Sequence, residues 1–231
     1  MRIIGHRGAS GYAPENTLEA FELAILQGVS MIELDVHRCA TGELVVIHDE
    51  RVDRTTDGKG LVSEMTLDEL KKLNSGNGNQ VPTLEEVFEA VARRVKINIE
   101  IKGREVAQPL AKMLSKFMFE KEWNPNYFIV SSFDHEQLKQ FHTLLPRIRT
   151  GILFESFPSD YQQLLQEIKP FSIHIPANIC VIELVDTIHK AGLEAWVYTV
   201  NEPKVFEKLQ AMGVDAVFTN YPDRFVKGIK P

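Results

Sequence analysis

Three carboxylates of this 231-residue chain are spaced so that they could hold one cation. Glu33 and Asp35 are two residues apart in IELDV, so on a β-strand they share one face, about 6.6 Å apart. Glu100 has the same setting in INIEIK, where isoleucines alternate with polar residues. Each acid alone would fit the solvent face of an antiparallel sheet. On helix-flanked strands, three unpaired acids would be costly to bury, which favours an oxygen-liganded Mg²⁺ or Ca²⁺ ion over zinc.

Two histidines are placed to move protons beside this cation site. His6 lies in GHRG and His48 in IHDE, each at the end of a strand-like run. If residues 31–48 form a hairpin, residue 48 pairs roughly opposite Glu33. A single strand-end histidine is usually a capping or packed residue. Two of them beside one cation site predict a general acid and a general base, because histidine titrates near neutral pH.

Two cations complete the predicted site. Arg7 follows His6, and Lys102 lies two residues after Glu100 on the same strand face. Either cation alone would be interpreted as a surface residue. Together with three carboxylates and a divalent ion, however, they bring the site to about +1, which complements a phosphodiester of about −1.

Four further side chains are weaker candidates. Trp196 and Tyr198 share one face of EAWVYTV, where either could pack on a ligand, although core packing is the usual role of such residues. His174, in FSIHI, could line the interior of the fold but fits a packed position better. Asn98 precedes Glu100 by two residues and is expected to hydrogen-bond a neighbouring carboxylate.

These side chains are carried by strand-like runs with helical patterns between most of them. The runs span residues 2–5, 31–36, 43–48, 96–102, 127–133, 150–154, 171–175, 194–200 and 215–219. In the first helical pattern, Asn16 is the expected N-cap and Gly28 follows the C-terminal end. Alternation of strands and helices at this length predicts an α/β fold, a closed (β/α)₈ TIM barrel. The alternative is an open doubly wound sheet, but its glycine-rich phosphate turn is absent from the first strand–helix junction.

Two segments depart from this alternation. The runs 31–36 and 43–48 are too close for a crossover helix, so we predict that they form a hairpin. Residues 50–82, called the 50–82 segment below, are polar, rich in turns and weakly patterned. A run of this length between core elements is usually functional or an inserted subdomain. We therefore predict one barrel domain over residues 1–231 with the 50–82 segment as a small insertion.

Composition and charge argue against several kinds of partner. The formal net charge is −6, so we expect no generic affinity for nucleic acid or for an anionic membrane. No apolar run approaches the roughly 18 residues of a membrane span, and no signal-like segment precedes the first strand. The two cysteines, Cys39 and Cys180, do not indicate a disulfide framework. We expect a cytoplasmic monomer or homodimer that acts on a small molecule.

The ordered motifs resemble those of glycerophosphodiester phosphodiesterases. The resemblance is carried by GHRGASGYAPENTLEAF, IELDVHRCATGELVVIHDE, RTTDGKG and NIEIK, and near the end of the chain by GLEAWVYTVNEP and GVDAVFTNYPD. It implies a barrel of the phospholipase-C-like phosphodiesterase type, with a small subdomain inserted after IHDE. The implied activity is metal-dependent hydrolysis of a glycerophosphodiester to glycerol 3-phosphate and an alcohol.

The resemblance also implies roles for matching residues. The acid–base pair of the family matches His6 and His48. The three ligands of one Mg²⁺ or Ca²⁺ ion match Glu33, Asp35 and Glu100. The two phosphate contacts match Arg7 and Lys102. We assign His48 as the base and His6 as the acid. The family commonly has tryptophan where this chain has Tyr198, with Trp196 two residues earlier. We expect both aromatic residues to contact the substrate.

Three other functions stay open at this point. A related lysophospholipid or phospholipase-D-like diesterase would need an exposed apolar rim around its site, which the polar 50–82 segment does not suggest. A metal-dependent lyase or isomerase of sugar phosphates would need no histidine pair. A catalytically inactive binding module would not be expected to keep the complete set of histidines and carboxylates.

Overall fold

Nine strands form one sheet in the computed structural model, which describes residues 1–158 and 161–226. They are β1 (Arg2–Gly5), β2 (Met31–Arg38), β3 (Leu44–Val46), β4 (Lys96–Ile101), β5 (Phe128–Ser132), β6 (Arg149–Leu153), β7 (Ser172–Pro176), β8 (Glu194–Tyr198) and β9 (Ala216–Thr219). All except β3 run parallel, and β1 pairs with both β2 and β9, which closes an eight-stranded barrel. The predicted (β/α)₈ barrel is confirmed, and the open doubly wound sheet is excluded.

Helices cover the outside of the barrel. They are α1 (Leu18–Leu26), α2 (Leu67–Leu70), α3 (Leu84–Val91), α4 (Ala107–Glu120), α5 (His135–Leu144), α6 (Tyr161–Ile168), α7 (Ile182–Lys190) and α8 (Pro203–Ala211). All except α2 connect successive barrel strands. None of these helices is long and apolar enough to cross a membrane.

The start of α1 differs from the sequence-based expectation. Its N-cap is Thr17, whose hydroxyl accepts a hydrogen bond from the backbone N–H of Ala20. Asn16 was predicted as the cap, and that prediction is wrong. Its backbone adopts a left-handed φ of 59°, and its side chain donates instead to Asp35 at 2.9 Å. Asn16 tolerates this backbone region better than most residues, so the turn can direct its amide into the barrel.

Alternation along the barrel strands separates two environments, as INIEIK shows. Ile97, Ile99 and Ile101 are buried in the main apolar core between the sheet and the helices. Asn98 and Glu100 point the other way, into the barrel. Polar side chains therefore reach the barrel interior because the apolar residues of the same strand fill the outer layer.

The hairpin formed by β2 and β3 is confirmed, but its register differs by one residue from the expected one. Val36 pairs with Val46 and Arg38 with Leu44, so the pairing pattern sets residue 34, rather than Glu33, opposite residue 48. Because β3 ends at Val46, His48 lies in the loop that follows the strand.

The 50–82 segment packs on this hairpin through a small apolar core of its own. The buried members of that core are Cys39, Val45, Ile47, Val52, Val62, Leu70 and Val81. Two short 3₁₀-helices, Val52–Arg54 and Val62–Glu64, precede α2 within the segment. Arg54, the last residue of the first 3₁₀-helix, contacts Glu15 and Asp49 in the loops after β1 and β3.

Candidate active site

The three predicted carboxylates converge at the carboxyl end of the barrel. Glu33 and Asp35 project inward from β2, and Glu100 projects inward from β4, where it is the register partner of Asp35. One carboxylate oxygen from each of the three lies within 4.8 Å of the other two. The three side chains are almost fully buried, with 2%, 1% and 8% of their residue surfaces exposed.

This cluster fits a divalent cation. Burial, together with repulsion by Asp35 and Glu100, raises the pKa of Glu33 well above its ordinary value. Burial and repulsion by Asp35 likewise raise the pKa of Glu100 to about 7. The Oε1 atom of Glu33 is buried and has no hydrogen-bond partner among the described residues. A set of carboxylate oxygens, one of which lacks a hydrogen-bond partner, is suited to bind Mg²⁺ or Ca²⁺.

Arg7 holds the carboxylates from the loop that follows β1. Its backbone N–H donates to Glu33 Oε2 at 2.8 Å. Its guanidinium Nε lies 3.3 Å from Asp35 Oδ2, as an ion pair without a well-aligned hydrogen bond. Its Nη1 donates to Glu15 Oε1 at 2.9 Å. The guanidinium therefore lies at the edge of the acidic cluster, facing the same cavity as Glu33.

Lys102 supplies the second positive charge from the end of β4. Its Nζ donates to Glu100 Oε1 at 3.0 Å and lies 5.5 Å from the centre of the Phe133 ring. Both predicted cations therefore contact predicted metal-ligand carboxylates, on opposite sides of the cluster.

The turn that presents Arg7 depends on Gly8, and this yields a stability prediction. Gly8 has a left-handed φ of 82°, and a Cβ there would lie 2.5 Å from the carbonyl carbon of Ala20. Gly192 has a similar φ of 76° but open space around it. We expect Gly192→Ala to cost about 1–2 kcal/mol from backbone strain alone. Gly8→Ala should cost about 1–3 kcal/mol more because the added methyl group overpacks the site.

Urea unfolding of the wild type, the Gly8→Ala variant and the Gly192→Ala variant measures both costs. Equal destabilisation by the two substitutions would contradict the steric argument, since backbone strain would then account for both. We also expect the Gly8 variant to lose activity, because Arg7 can no longer present its N–H to Glu33 in the same position.

His6 and His48 line one cavity of about 390 Å³ together with Glu33, Glu100 and Lys102. The Nδ1 atom of His6 lies 2.7 Å from Asn220 Oδ1, which places the imidazole hydrogen on Nδ1 and leaves Nε2 free. Burial, and then the charge of Arg7, lowers the pKa of His6 to about 4. His6 is therefore neutral near pH 7.

His48 has a different hydrogen-bond partner. Its Nδ1 lies 2.6 Å from Asp49 Oδ1, and its backbone carbonyl lies 3.0 Å from Nε2 of His37. A hydrogen bond from Arg54 is the largest cause that lowers the pKa of Asp49 well below its ordinary value. His48 is thus oriented by an ionised carboxylate, which favours a proton on its Nδ1.

The two aromatic candidates occupy different places. Tyr198 lines the cavity, and its hydroxyl donates to the carbonyl of Phe154 at 2.9 Å. Trp196 lies deeper in the barrel, fully buried and outside the cavity lining, and its indole N–H donates to Glu194. The expected contact between Trp196 and substrate is therefore wrong. Inward-facing residues of one strand occupy successive layers of the barrel, and only the layer of Tyr198 reaches the mouth.

Two further candidates form the floor of the cavity. His174 is fully buried, stacks on Trp196 with ring centres 4.7 Å apart, and shares a 2.8 Å hydrogen bond with Ser172. Asn98 donates to Ser131 Oγ at 3.0 Å. The expected hydrogen bond from Asn98 to a carboxylate is wrong, because the hydroxyl of Ser131, on the adjacent strand β5, takes its amide hydrogen.

Five residues of the site were not predicted from the sequence to belong to it. All lie in loops at the carboxyl end of the barrel or in the 50–82 segment, and they are Glu15, Asn16, Asp49, Arg54 and Asn220. The only available signal was their position in the quoted motifs, because several of their contacts join parts of the chain that are far apart. The bond from His6 to Asn220, for example, spans 214 positions.

The chain is similar to known proteins over almost its whole length. Residues 6–224 match the model of the glycerophosphoryl diester phosphodiesterase family. A glycerophosphodiester phosphodiesterase of Caldanaerobacter subterraneus is 35% identical, with 99% of this chain and 97% of that protein covered. One from Bacillus subtilis is 36% identical over 97% of this chain and 85% of its own.

Solved structures agree with this match. A phosphodiesterase of Oleispira antarctica, in complex with the product sn-glycerol 3-phosphate, has a TM-score of 0.89 and 33% identity. That alignment covers 97% of this chain and 94% of the other. The glycerophosphodiester phosphodiesterase of Thermotoga maritima has a TM-score of 0.82 and 32% identity, with 98% and 97% covered. This chain therefore belongs to the glycerophosphoryl diester phosphodiesterase family.

Proposed function

We propose that this chain hydrolyses glycerophosphodiesters to sn-glycerol 3-phosphate and an alcohol, with one Mg²⁺ or Ca²⁺ ion. The observation that carries the proposal is a single cavity lined by His6 and His48, by two carboxylates of the acidic cluster and by two cations. The enzymatic activity named for the relatives and the product bound by the Oleispira protein support it.

Glu33, Asp35 and Glu100 would hold the cation. When bound, the cation would polarise a phosphoryl oxygen and lower the pKa of a hydroxyl of the substrate. The three residues are suited to this because they offer oxygen atoms from two adjacent strands, and because their mutual repulsion is relieved by a positive ion.

Arg7 and Lys102 would bind the phosphate. Arg7 lies on the β1 side of the acidic cluster and Lys102 on the β4 side, so a phosphoryl group between them would be contacted from two directions. Their charges offset negative charge that builds up on the phosphoryl oxygens during the reaction. Fixed donors in a largely buried site do this without the reorganisation that water requires.

The hydrogen bonds of the two histidines favour His6 as the base and His48 as the acid, the reverse of the assignment made from the sequence. Neutral His6, with Nε2 free, can take a proton from the attacking oxygen, either a glycerol hydroxyl or water. His48, whose Nδ1 lies 2.6 Å from ionised Asp49, is oriented by that carboxylate and can give a proton from Nε2 to the departing alkoxide.

The packing of the 50–82 segment argues against the lysophospholipid alternative. Val52, Val62, Leu70 and Val81 are buried in the small core on the hairpin, and Met65, Leu67 and Leu73 pack against that core. None of these residues lines the cavity. The cavity lining includes Phe133, Leu153 and Phe218, but charged side chains are spread through it, with Glu155 near Tyr198, and this suits a small hydrophilic ester better than an acyl chain.

A substrate panel tests the proposal directly. Purified protein is incubated with the glycerol 3-phosphate esters of choline, ethanolamine, inositol and glycerol, and with lysophosphatidylcholine, each with Mg²⁺, Ca²⁺ or excess chelator. We expect release of glycerol 3-phosphate from the deacylated esters, dependence on a metal, and much slower turnover of the lysophospholipid. Failure to release glycerol 3-phosphate from any ester would reject the function, and full activity in chelator would reject the metal requirement.

A further inference from the structure

Arg54, at the end of the first 3₁₀-helix of the 50–82 segment, reaches the candidate active site. Its Nε donates to Asp49 Oδ2 at 2.6 Å, and its Nη2 donates to Asp49 Oδ1 at 3.0 Å. This two-pronged contact fixes the plane of the carboxylate. The same Oδ1 atom lies 2.6 Å from Nδ1 of His48, so the contacts run from Arg54 through Asp49 to the histidine.

The guanidinium also holds a second carboxylate. Its Nη1 and Nη2 donate to the two oxygens of Glu15 at 2.9 and 2.8 Å. Glu15 in turn accepts from Arg7 at 2.9 Å. Arg54 therefore links the loop after β3, which carries His48, to the loop after β1, which carries Arg7.

We propose that Arg54 is a positioning residue for the reaction: it holds Asp49 in the orientation that aims the imidazole of His48 at the leaving alcohol. The inference rests on the proposed function and gives the 50–82 segment a role in it. Through Glu15, Arg54 also supports Arg7, but that second branch acts on substrate binding rather than on proton transfer.

The segment does not need Arg54 to fold onto the hairpin. Val52, Val62 and Leu70 are fully buried in the core that joins the two. Backbone hydrogen bonds from Val52 to Gly60 and from Val62 to Glu50 close the loop around the first 3₁₀-helix. The Arg54 side chain itself is 48% exposed. A substitution at this position should therefore leave the fold in place.

The decisive readout is the dependence of the rate on the leaving group. Choline is a poor leaving group that needs a proton, whereas p-nitrophenolate leaves without one. With glycerophosphocholine, we expect Arg54→Gln to lower kcat by about 10- to 100-fold, as is typical when a supporting residue is lost. With the p-nitrophenyl ester of glycerol 3-phosphate, we expect a loss of less than about threefold, because the general acid contributes little there.

Arg51→Gln is the matched control. Arg51 lies just before the same 3₁₀-helix, is 49% exposed and pairs with Asp53 rather than with any residue of the site. It should leave both rates unchanged. Glu15→Gln should raise KM by similar factors for the two esters, because it weakens the support of Arg7 while Arg54 keeps its own two hydrogen bonds to Asp49.

A double substitution tests whether Arg54 acts through Asp49. If it does, Arg54→Gln combined with Asp49→Asn should lower kcat on glycerophosphocholine no more than Asp49→Asn alone. Equal losses on the two esters, no loss at all, or additive losses in the double variant would each overturn the proposal. If Arg54→Gln does not fold, Arg54→Lys replaces it, because lysine keeps the charge without the two-pronged contact. It is judged in the same way, by comparing the loss of kcat on glycerophosphocholine with the loss on the p-nitrophenyl ester. A wild-type enzyme inactive on both esters would reject the proposed function instead.

Discussion

Replacement of His6 by alanine is expected to lower kcat for glycerophosphodiester hydrolysis by about 10²- to 10⁴-fold, the usual contribution of a positioned acid or base. KM should change by less than about threefold, because the phosphate contacts of Arg7 and Lys102 stay in place. The physical reason is the free Nε2 atom, which faces the cavity while Nδ1 is held by Asn220. Steady-state kinetics with glycerophosphocholine and saturating metal measure the loss.

His142→Ala is the control for this substitution. His142 lies on α5, and it does not line the cavity. Its replacement should leave kcat within about twofold of the wild type, given how little substitutions far from the site usually change. Retention of more than a tenth of the wild-type kcat by the His6→Ala enzyme would exclude His6 as the base.

A change at Asn220 tests the same assignment through pH. The low pKa of His6, about 4, arises first from burial and then from Arg7, while Asn220 opposes the shift through its hydrogen bond. The Asn220→Asp substitution places a negative charge beside Nδ1 of His6. This charge stabilises the imidazolium and raises the pKa of His6. The acid limb of the kcat profile should therefore move to higher pH. A profile that shifts toward lower pH, or does not shift, would contradict the role of His6 as a base.

The barrel and the convergence of its acids follow from patterns that are local in the sequence. Alternation in IELDV and INIEIK fixes which side chains face inward, and adjacent parallel strands bring Asp35 and Glu100 level with each other. The hairpin follows in the same way from the short gap between its strands. Such inferences succeed because burial of one strand face leaves few choices for the other.

The supporting residues could not be predicted because they depend on loop geometry. Asn16 was expected as a helix cap, yet a left-handed backbone turns it to Asp35, and Thr17 caps the helix instead. Arg54 reaches Asp49 and Glu15 only because the 50–82 segment folds back onto the hairpin. The depth of Trp196 was equally unpredictable, since period-two alternation indicates a face but not a layer.

Removal of the divalent cation is expected to abolish activity and to reveal the repulsion within the acidic cluster. Because burial and Asp35 raise the pKa of Glu100 to about 7, the metal-free site holds protons that the cation must displace. The affinity for Mg²⁺ or Ca²⁺ should rise with pH, by about tenfold per pH unit for each displaced proton, and the part of this rise that is due to Glu100 should level off above about pH 7. Calorimetric titration at several pH values, in buffers of different ionisation enthalpy, measures both the affinity and the protons released.

The stability of the metal-free protein should have the opposite pH dependence. The folded pKa of Glu100, about 7, lies above the ordinary value of 4.5, so the folded state binds more protons than the unfolded state between these values. Stability without metal therefore falls as pH rises from about 4.5 to 7, and added metal offsets the loss. Urea unfolding in chelator across this range should show the decline.

Glu100→Gln should separate two effects of this carboxylate: its repulsion of the other acids in the metal-free site and its role as a ligand of the cation. The neutral amide keeps the shape but removes one charge, so the metal-free variant should be more stable than the wild type above pH 7, by on the order of 2 kcal/mol. The same variant should lose activity at least about a hundredfold, because the cation loses a ligand. Glu105→Gln, at an 80% exposed side chain that pairs with Arg38, is the control and should change neither property. A Glu100→Gln protein that is less stable than the wild type at pH 8 without metal would show that hydrogen bonding to Lys102, rather than repulsion among the acids, dominates at this position.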